Sequence, residues 1–405
     1  MNSLKIMVIL LKLIFVAILL VVYYLYFFKD VVENYANRLT NLATKQEPLT
    51  NGMETPAITI CLSPTRKAKK MEEWNITEQF FKLKTLKTYD NLFNDVSMKD
   101  IIDDTSFKLD KDFFIEFGTW NFGTTKIIPL SLGSTTFEGQ TITLTEIYTL
   151  FQGICYLLKT DFNLSFFRKK LHLSVVMKNS TIESDKPQNV RLILSSKHDA
   201  LSIVTNKWKN LNYLTVPLEF GKGSTSVDVK ESKTSRITEC DQTVESFQQC
   251  LWLELKRGTE SLLEDCGTFC VPMNWKAYFD FFSNQINETT YATCKNLKDE
   301  SCTSDILFNA FIESLPKCKI QCNYIEYSAN VENLDYQYNN YSDMSADAVI
   351  YSESPTRTFN KEYLIYDVPG LIGNIGGSLG LFMGISFYGA FSDILEFVLK
   401  KLTLK

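Results

Sequence analysis

The chain opens with an unbroken apolar run and closes with another, and a mixed pattern of short alternations lies between them. From Ile6 to Phe28 every residue is apolar except Lys12. At about 1.5 Å per helical residue this block reaches roughly 34 Å, enough to cross the hydrocarbon of a bilayer. Its 17 Leu, Ile, Val and Phe residues return about 0.3 to 0.6 kcal/mol each on insertion, against about 2.5 to 3.5 kcal/mol for one central lysine. Insertion is therefore favoured. Tyr23, Tyr24 and Tyr26 supply an interfacial belt at the exit. A cleaved signal peptide fits less well, because the apolar core is long and no small-residue cleavage site follows it.

The second run can continue helically from about Leu371 to Leu399, and we expect a membrane helix over 369–399. Seven of the chain's 17 glycines fall at its start. Glycine costs roughly 1 kcal/mol per position in a helix, so the run makes a poor lone helix. Gly376, Gly380 and Gly384 are four apart, the small-residue stripe that lets membrane helices approach closely, with Gly377 beside it.

Between the runs, Lys170–Lys178, Val190–Ser196 and Leu211–Phe220 are short, rich in β-branched or apolar residues and bounded by turn formers, and they predict strands. Pro217 places the last at a sheet edge. Val244–Leu263 and Trp275–Gln285 carry leucines and aromatics at helical spacing. The expected fold is a β core with a disulfide-stapled helical appendage.

Charge orients this arrangement. Lys5 before the first span, and Lys400, Lys401 and Lys405 after the second, favour cytoplasmic termini, 1–5 and 400–405. Residues 29–368 are then extracellular. Five Asn-x-Ser/Thr sequons, at Asn75, Asn163, Asn179, Asn287 and Asn340, all lie in that stretch and are candidate glycosylation sites. So do all ten cysteines, eight of them (Cys240, Cys250, Cys266, Cys270, Cys294, Cys302, Cys318 and Cys322) within 240–322. An even, dense cluster in an exported domain reads as a disulfide framework. Zinc is disfavoured, because Cys266/Cys270 and Cys318/Cys322 are spaced C-x3-C rather than C-x2-C and no histidine lies near.

A net charge of -5 and a pI near 5.4 argue against a nucleic-acid partner. With only His172 and His198 available, no Cys/His or Ser/His arrangement has support, and no phosphate-cradling glycine loop follows a soluble strand. The pattern is not that of an enzyme, and no metal or cofactor is implied.

Four elements, in order, resemble the epithelial sodium channel, degenerin and acid-sensing channel family. Thr55-Pro-Ala-Ile-Thr-Ile-Cys61 is similar to the strand after the family's first span, and Gly153-Ile-Cys155-Tyr156 to its G-x-C-Y element. The block from Arg236-Ile-Thr-Glu-Cys240 to Cys318-Lys-Ile-Gln-Cys322 resembles its thumb. Gly373-Asn-Ile-Gly-Gly-Ser-Leu-Gly-Leu-Phe-Met-Gly384-Ile-Ser386 closely resembles its second-span signature and is the most specific of the four. Together they cover nearly the whole chain.

The resemblance implies a membrane protein of two transmembrane helices with a large α+β, disulfide-rich extracellular domain. It implies a β palm and β-ball core with helical finger and thumb, assembled as a homo- or heterotrimer of family subunits in the plasma membrane. It implies a sodium-permeable, amiloride-sensitive channel with sodium as permeant ion, gated from outside by a stimulus such as a ligand, protons or force. Carried over by position, Gly384, Ile385 and Ser386 match the selectivity tract, where backbone carbonyls replace ion hydration, and Gly373 matches the gating position. Asn374 stands where the family commonly has an acid, Ile385 replaces a small residue, and Asp393 and Glu396 are the candidate inner-mouth acids. The only upstream candidate partner for Cys155 is Cys61, and Cys240 is expected to pair with Cys318 or Cys322. The family's cytoplasmic His-Gly element has no counterpart before residue 6, which favours a truncated start or an accessory subunit. The alternatives are an ATP-gated type of trimeric cation channel and a non-conducting accessory or receptor subunit.

Overall fold

The computed structural model describes residues 21–383 apart from 38–39, 51, 65, 78–95, 122–123, 150–152, 165–169, 179–186, 188, 198–213, 239, 242–246, 260–269, 274, 277–278, 280–291, 296, 335–344 and 366. Two compact units divide the chain. The first comprises Met1–Ala43, Arg236–Thr238 and Lys361–Lys405; the second comprises Thr44–Ser235 and Glu239–Asn360.

The second unit is built largely on two sheets, with Thr40–Ala43 and Lys361–Leu364 at the ends of two strands belonging to the first unit. One contains β3 (Ala57–Ser63), β6 (Gly133–Phe137), β7 (Gln140–Thr149), β8 (Gly153–Thr160), β11 (Asn189–Ser195) and β12 (Leu214–Glu219), in the order β12-β11-β3-β8-β7-β6. Each neighbouring pair is antiparallel. The other has the order β1-β18-β13-β17-β10-β4-β5, with β16 also paired to β13. Its strands are β1 (Thr40–Pro48), β4 (Phe113–Asn121), β5 (Thr124–Leu130), β10 (Lys170–Met177), β13 (Ser224–Ser235), β16 (Asn323–Leu334), β17 (Ser345–Tyr351) and β18 (Thr356–Leu364); two short pairs, β2 (Met53–Glu54) with β9 (Asn163–Leu164) and β14 (Cys240–Asp241) with β15 (Ile320–Gln321), lie outside both sheets.

Period-two alternation divides the six-stranded sheet into two buried faces. Ile58, Ile60 and Leu62 of β3, Ile154, Tyr156 and Leu158 of β8, and Val190, Leu192 and Leu194 of β11 enter a core shared with Phe113, Ile115 and Phe117 of β4 and Leu171, Leu173 and Val175 of β10. Helix α3 (Met98–Thr105) closes one side of this core with Met98, Ile101 and Ile102. It starts at a capping box between Ser97 and Asp100, which satisfies otherwise orphaned amides at its N-terminus. Phe117 holds the aromatic centre together, with its ring centroid 6.2 Å from that of Phe137 and 5.8 Å from that of Phe162.

The opposite face presents Ala57, Cys61, Cys155, Leu157 and Ile193 to a helical pair, α4 (Phe247–Thr259) and α5 (Leu297–Ser314). Leu251, Trp252 and Leu255 of α4 and Leu307, Ala310 and Phe311 of α5 complete that second core. The cysteine-rich helices are therefore not an appendage beside a β core. They cover one face of the sheet, because β3 and β8 are apolar on both sides and neither face can be left to water.

The expected strands are found at Lys170–Met177, Asn189–Ser195 and Leu214–Glu219. Pro217 lies on β12, the edge strand, opposite Arg191. Helix α4 falls inside the expected Val244–Leu263, whose two ends lie outside the described residues. Of the expected Trp275–Gln285 helix, Trp275, Lys276 and Phe279 are helical and the rest lies outside.

One glycine of the sheet is required by its neighbour. A Cβ on Gly118 would sit 2.3 Å from the Lys126 carbonyl oxygen on β5, in the register that pairs Gly118 with Ile127. Gly118→Val is expected to part β4 from β5 and cost at least about 2 kcal/mol. A thermal melt of the full-length variant that overlays the wild-type curve would refute this.

Candidate functional site

The second apolar run is helical at its start. Helix α6 (Val368–Met383) begins where the Asp367 Oδ1 accepts the Gly370 N–H at 2.7 Å, with Pro369 in the first turn, where a missing N–H costs nothing. Along the helix, Asn374 Nδ2 donates to the Gly370 carbonyl at 3.0 Å, and Ser378 Oγ donates to the Asn374 carbonyl at 2.6 Å. These short-range bonds satisfy polar groups in an otherwise apolar sequence.

Gly373, Gly376, Gly377 and Gly380 all lie on α6. A Cβ added at any of the four would meet nothing within 4 Å. The close packing expected of this stripe is thus not made by the described residues of the chain, and Ile372 is 66% exposed beside it. What does reach α6 is Tyr23. Its hydroxyl lies 2.9 Å from Ser378 Oγ and 3.2 Å from the Ile375 carbonyl, and the residue is 4% exposed. The expected belt tyrosines therefore divide: Tyr23 is buried against α6, whereas Tyr24 is 55% exposed.

The first apolar run is helical over its described part. A π-helical turn at Tyr24–Phe28 leads into α1 (Lys29–Ala36), so the helix continues beyond the expected end of the span at Phe28. Among the described residues no helix is long and apolar enough to cross a membrane. Residues 6–20, the tract Gly384, Ile385 and Ser386, and the acids Asp393 and Glu396 lie outside the described residues.

The cysteines form a covalent frame. Cys61 is bonded to Cys155, Cys240 to Cys322, Cys250 to Cys318 and Cys270 to Cys294, and Cys302 is also disulfide-bonded. Of the two partners open to Cys240, Cys322 is the one taken, and Cys318 is held by α4. Cys266 lies outside the described residues, as do Asn179, Asn287 and Asn340. Asn75 and Asn163 are exposed, Asn75 with a φ of 52° in the turn after α2 (Ala68–Glu73).

Three acidic or basic groups that sequence reasoning did not single out are held in unusual settings. Glu362 of β18 accepts at Oε1 from Thr40 Oγ1 (2.5 Å) and Thr238 Oγ1 (2.7 Å), and at Oε2 from the N–H groups of Ile237 (2.7 Å) and Thr238 (3.0 Å). Desolvation raises its pKa, but these donors outweigh it and hold the carboxyl at about 2.

Glu300 of α5 is 2% exposed. Its Oε1 accepts the Met273 N–H at 2.7 Å, and burial pushes its pKa up to about 7. His172 of β10 is 9% exposed, with its Nε2 3.8 Å from Asp347 Oδ1. Burial pulls the imidazole down, opposed by the charges of Asp347 and Glu116. Only the fold reveals these groups, since each depends on partners remote in sequence.

The sequence profile of the family described as amiloride-sensitive sodium channel matches residues 7–397, nearly the entire chain. The chain belongs to the amiloride-sensitive sodium channel family. Members of this family are ion channels, not enzymes, and they form multimers. No curated protein matches the chain. Among solved structures it is similar to the cryo-EM structure of a proton-activated chloride channel, with 8% identity over 98% of each chain and a TM-score of 0.37.

Proposed function

We propose that this member of the amiloride-sensitive sodium channel family is a subunit of a sodium-permeable, amiloride-sensitive plasma-membrane channel, trimeric and gated by an extracellular stimulus. In this reading residues 6–28 and 369–399 span the bilayer, both termini are cytoplasmic, and 29–368 face outward. Family membership over residues 7–397 carries the reading, and the Gly373–Ser386 signature supports conduction through the second span. The disulfides within the β-rich unit support an oxidising, extracellular setting.

Gly384, Ile385 and Ser386 are the filter residues in this reading. Gly373 is the gating position, and Asp393 and Glu396 stand at the inner mouth. The exposed Asn75 and Asn163 are glycan acceptors, as are Asn179, Asn287 and Asn340.

Voltage clamp of cells expressing the chain alone, and with family subunits, tests this with sodium replacement and amiloride. Ser386→Ala, which removes the side-chain hydroxyl and keeps the carbonyl, is expected to change the sodium-to-potassium permeability ratio by about fivefold, the factor for a difference of about 1 kcal/mol between the two ions. Unchanged selectivity and unitary conductance would refute the assigned filter. The absence of any current with every partner would favour a non-conducting accessory subunit.

A further inference from the structure

The Glu362 carboxylate ties together three stretches that are remote in sequence. Thr40 is 322 residues away and lies shortly after α1, whereas Ile237 is 125 residues away and lies just before Cys240, which is bonded to Cys322. Glu362 itself precedes α6. The same proximity groups Arg236–Thr238 with the unit containing both apolar runs, while the chain on either side of it belongs to the other unit.

The choice of residue is informative. A carboxylate offers two acceptor oxygens and no donor, so it can take all four bonds, two from backbone N–H groups and two from hydroxyls. An amide of the same shape keeps one oxygen and turns an NH2 group toward donors. Because the carboxyl is ionised throughout the physiological range, the arrangement is a standing latch rather than a proton switch.

We propose that Glu362 is a positioning residue for gating, whose carboxylate fastens the segment 236–238 and the chain at Thr40 to the strand that leads into α6, so that the roots of α1 and α6 move together. This rests on the channel reading above. Tyr23 joins the first helix to α6 along their lengths, and Glu362 with Thr40 and Thr238 joins the same two segments at their roots.

The test uses the full chain in lipid nanodiscs for hydrogen exchange, and in cells for current. Glu362→Gln is expected to accelerate exchange at the Ile237 and Thr238 amides about tenfold, with faster exchange spreading to residues 371–376. Thr238→Val should move in the same direction by less, and Thr238→Ser, which keeps the hydroxyl, should match wild type. In cells, Glu362→Gln should alter resting open probability by about threefold or more, normalised to surface-labelled protein, without changing reversal potential or unitary conductance. Unaltered exchange at 237–238 overturns the latch. Acceleration confined to those two amides, or faster exchange with wild-type open probability, overturns the coupling role. If the wild type carries no current, the channel reading fails, while the extent of exchange at 371–376 still decides whether the latch couples these segments.

Discussion

Paired alanine substitution of Cys61 and Cys155 is expected to destabilise the β-rich unit by at least about 4 kcal/mol. The two cysteines stand opposite each other in the β3–β8 ladder and close a loop with a sequence separation of 94. In the chain-entropy description, releasing a loop of this size costs on the order of 4 to 5 kcal/mol. Packing adds to the effect. Cys61 and Cys155 are 1% and 0% exposed and lie in the core shared with Leu251, Trp252 and Phe311, so removing both sulfurs also leaves a void.

For a unit of this size the loss corresponds to a fall in Tm of about 6 °C or more, read by melting of the full-length protein under non-reducing conditions. The Cys270–Cys294 bond, with a separation of 24, should cost about 1 kcal/mol less to remove. A Cys61/Cys155 variant that melts within a degree or two of wild type would overturn this account.

The second large effect is a gain. Glu300→Gln is expected to stabilise the protein by about 3 kcal/mol at neutral pH and by nothing near pH 4. Burial raises the folded-state pKa to about 7, from the ordinary glutamate value of 4.5. The folded state therefore holds the proton more tightly than the unfolded chain, and the native protein loses stability as pH rises from about 4.5 through 7. Each unit of difference is worth about 1.4 kcal/mol.

Glutamine keeps an oxygen for the Met273 N–H but carries no charge to bury. Melting curves of the two proteins should coincide at pH 4 and separate progressively up to pH 8. A constant offset across that range, or a less stable variant at pH 7, would show that the carboxylate is compensated where it lies.

The parts of the fold that were legible in the sequence share one property: an apolar period that a single element imposes. The β10, β11 and β12 strands and α4 announced themselves through short β-branched runs and leucines at helical spacing. Pro217 announced an edge because proline lacks the amide that a central strand must donate. Strands β13 and β16 did not. β13 reads Ser-Thr-Ser-Val-Asp-Val-Lys-Glu-Ser-Lys-Thr-Ser, a polar sequence whose apolar alternation is limited to Val227 and Val229, yet Thr225, Ser226, Asp228, Glu231 and Thr234 are buried in it. Their partners come from other strands and loops, as when Asp228 Oδ1 accepts the Glu353 N–H at 2.9 Å and Ser226 Oγ donates to the Tyr351 hydroxyl at 3.0 Å. Helix α5 escaped notice for a related reason: its buried face includes Glu300, Thr303 and Ser304, which break the apolar period.

The sequence alone determined the two apolar runs, the even cysteine set, the edge position of β12 and the family, because each is written in local composition, order or spacing. Which cysteines pair, which helices cover the second face of the six-stranded sheet, the burial of Glu300 and the four donors gathered on Glu362 were decided only by tertiary structure. Disulfide geometry, desolvation and hydrogen bonding depend on distances between residues far apart in the chain, and no local pattern records them. The glycine run stands between these cases: its spacing is plain in the sequence, while the described fold leaves its small-residue face open.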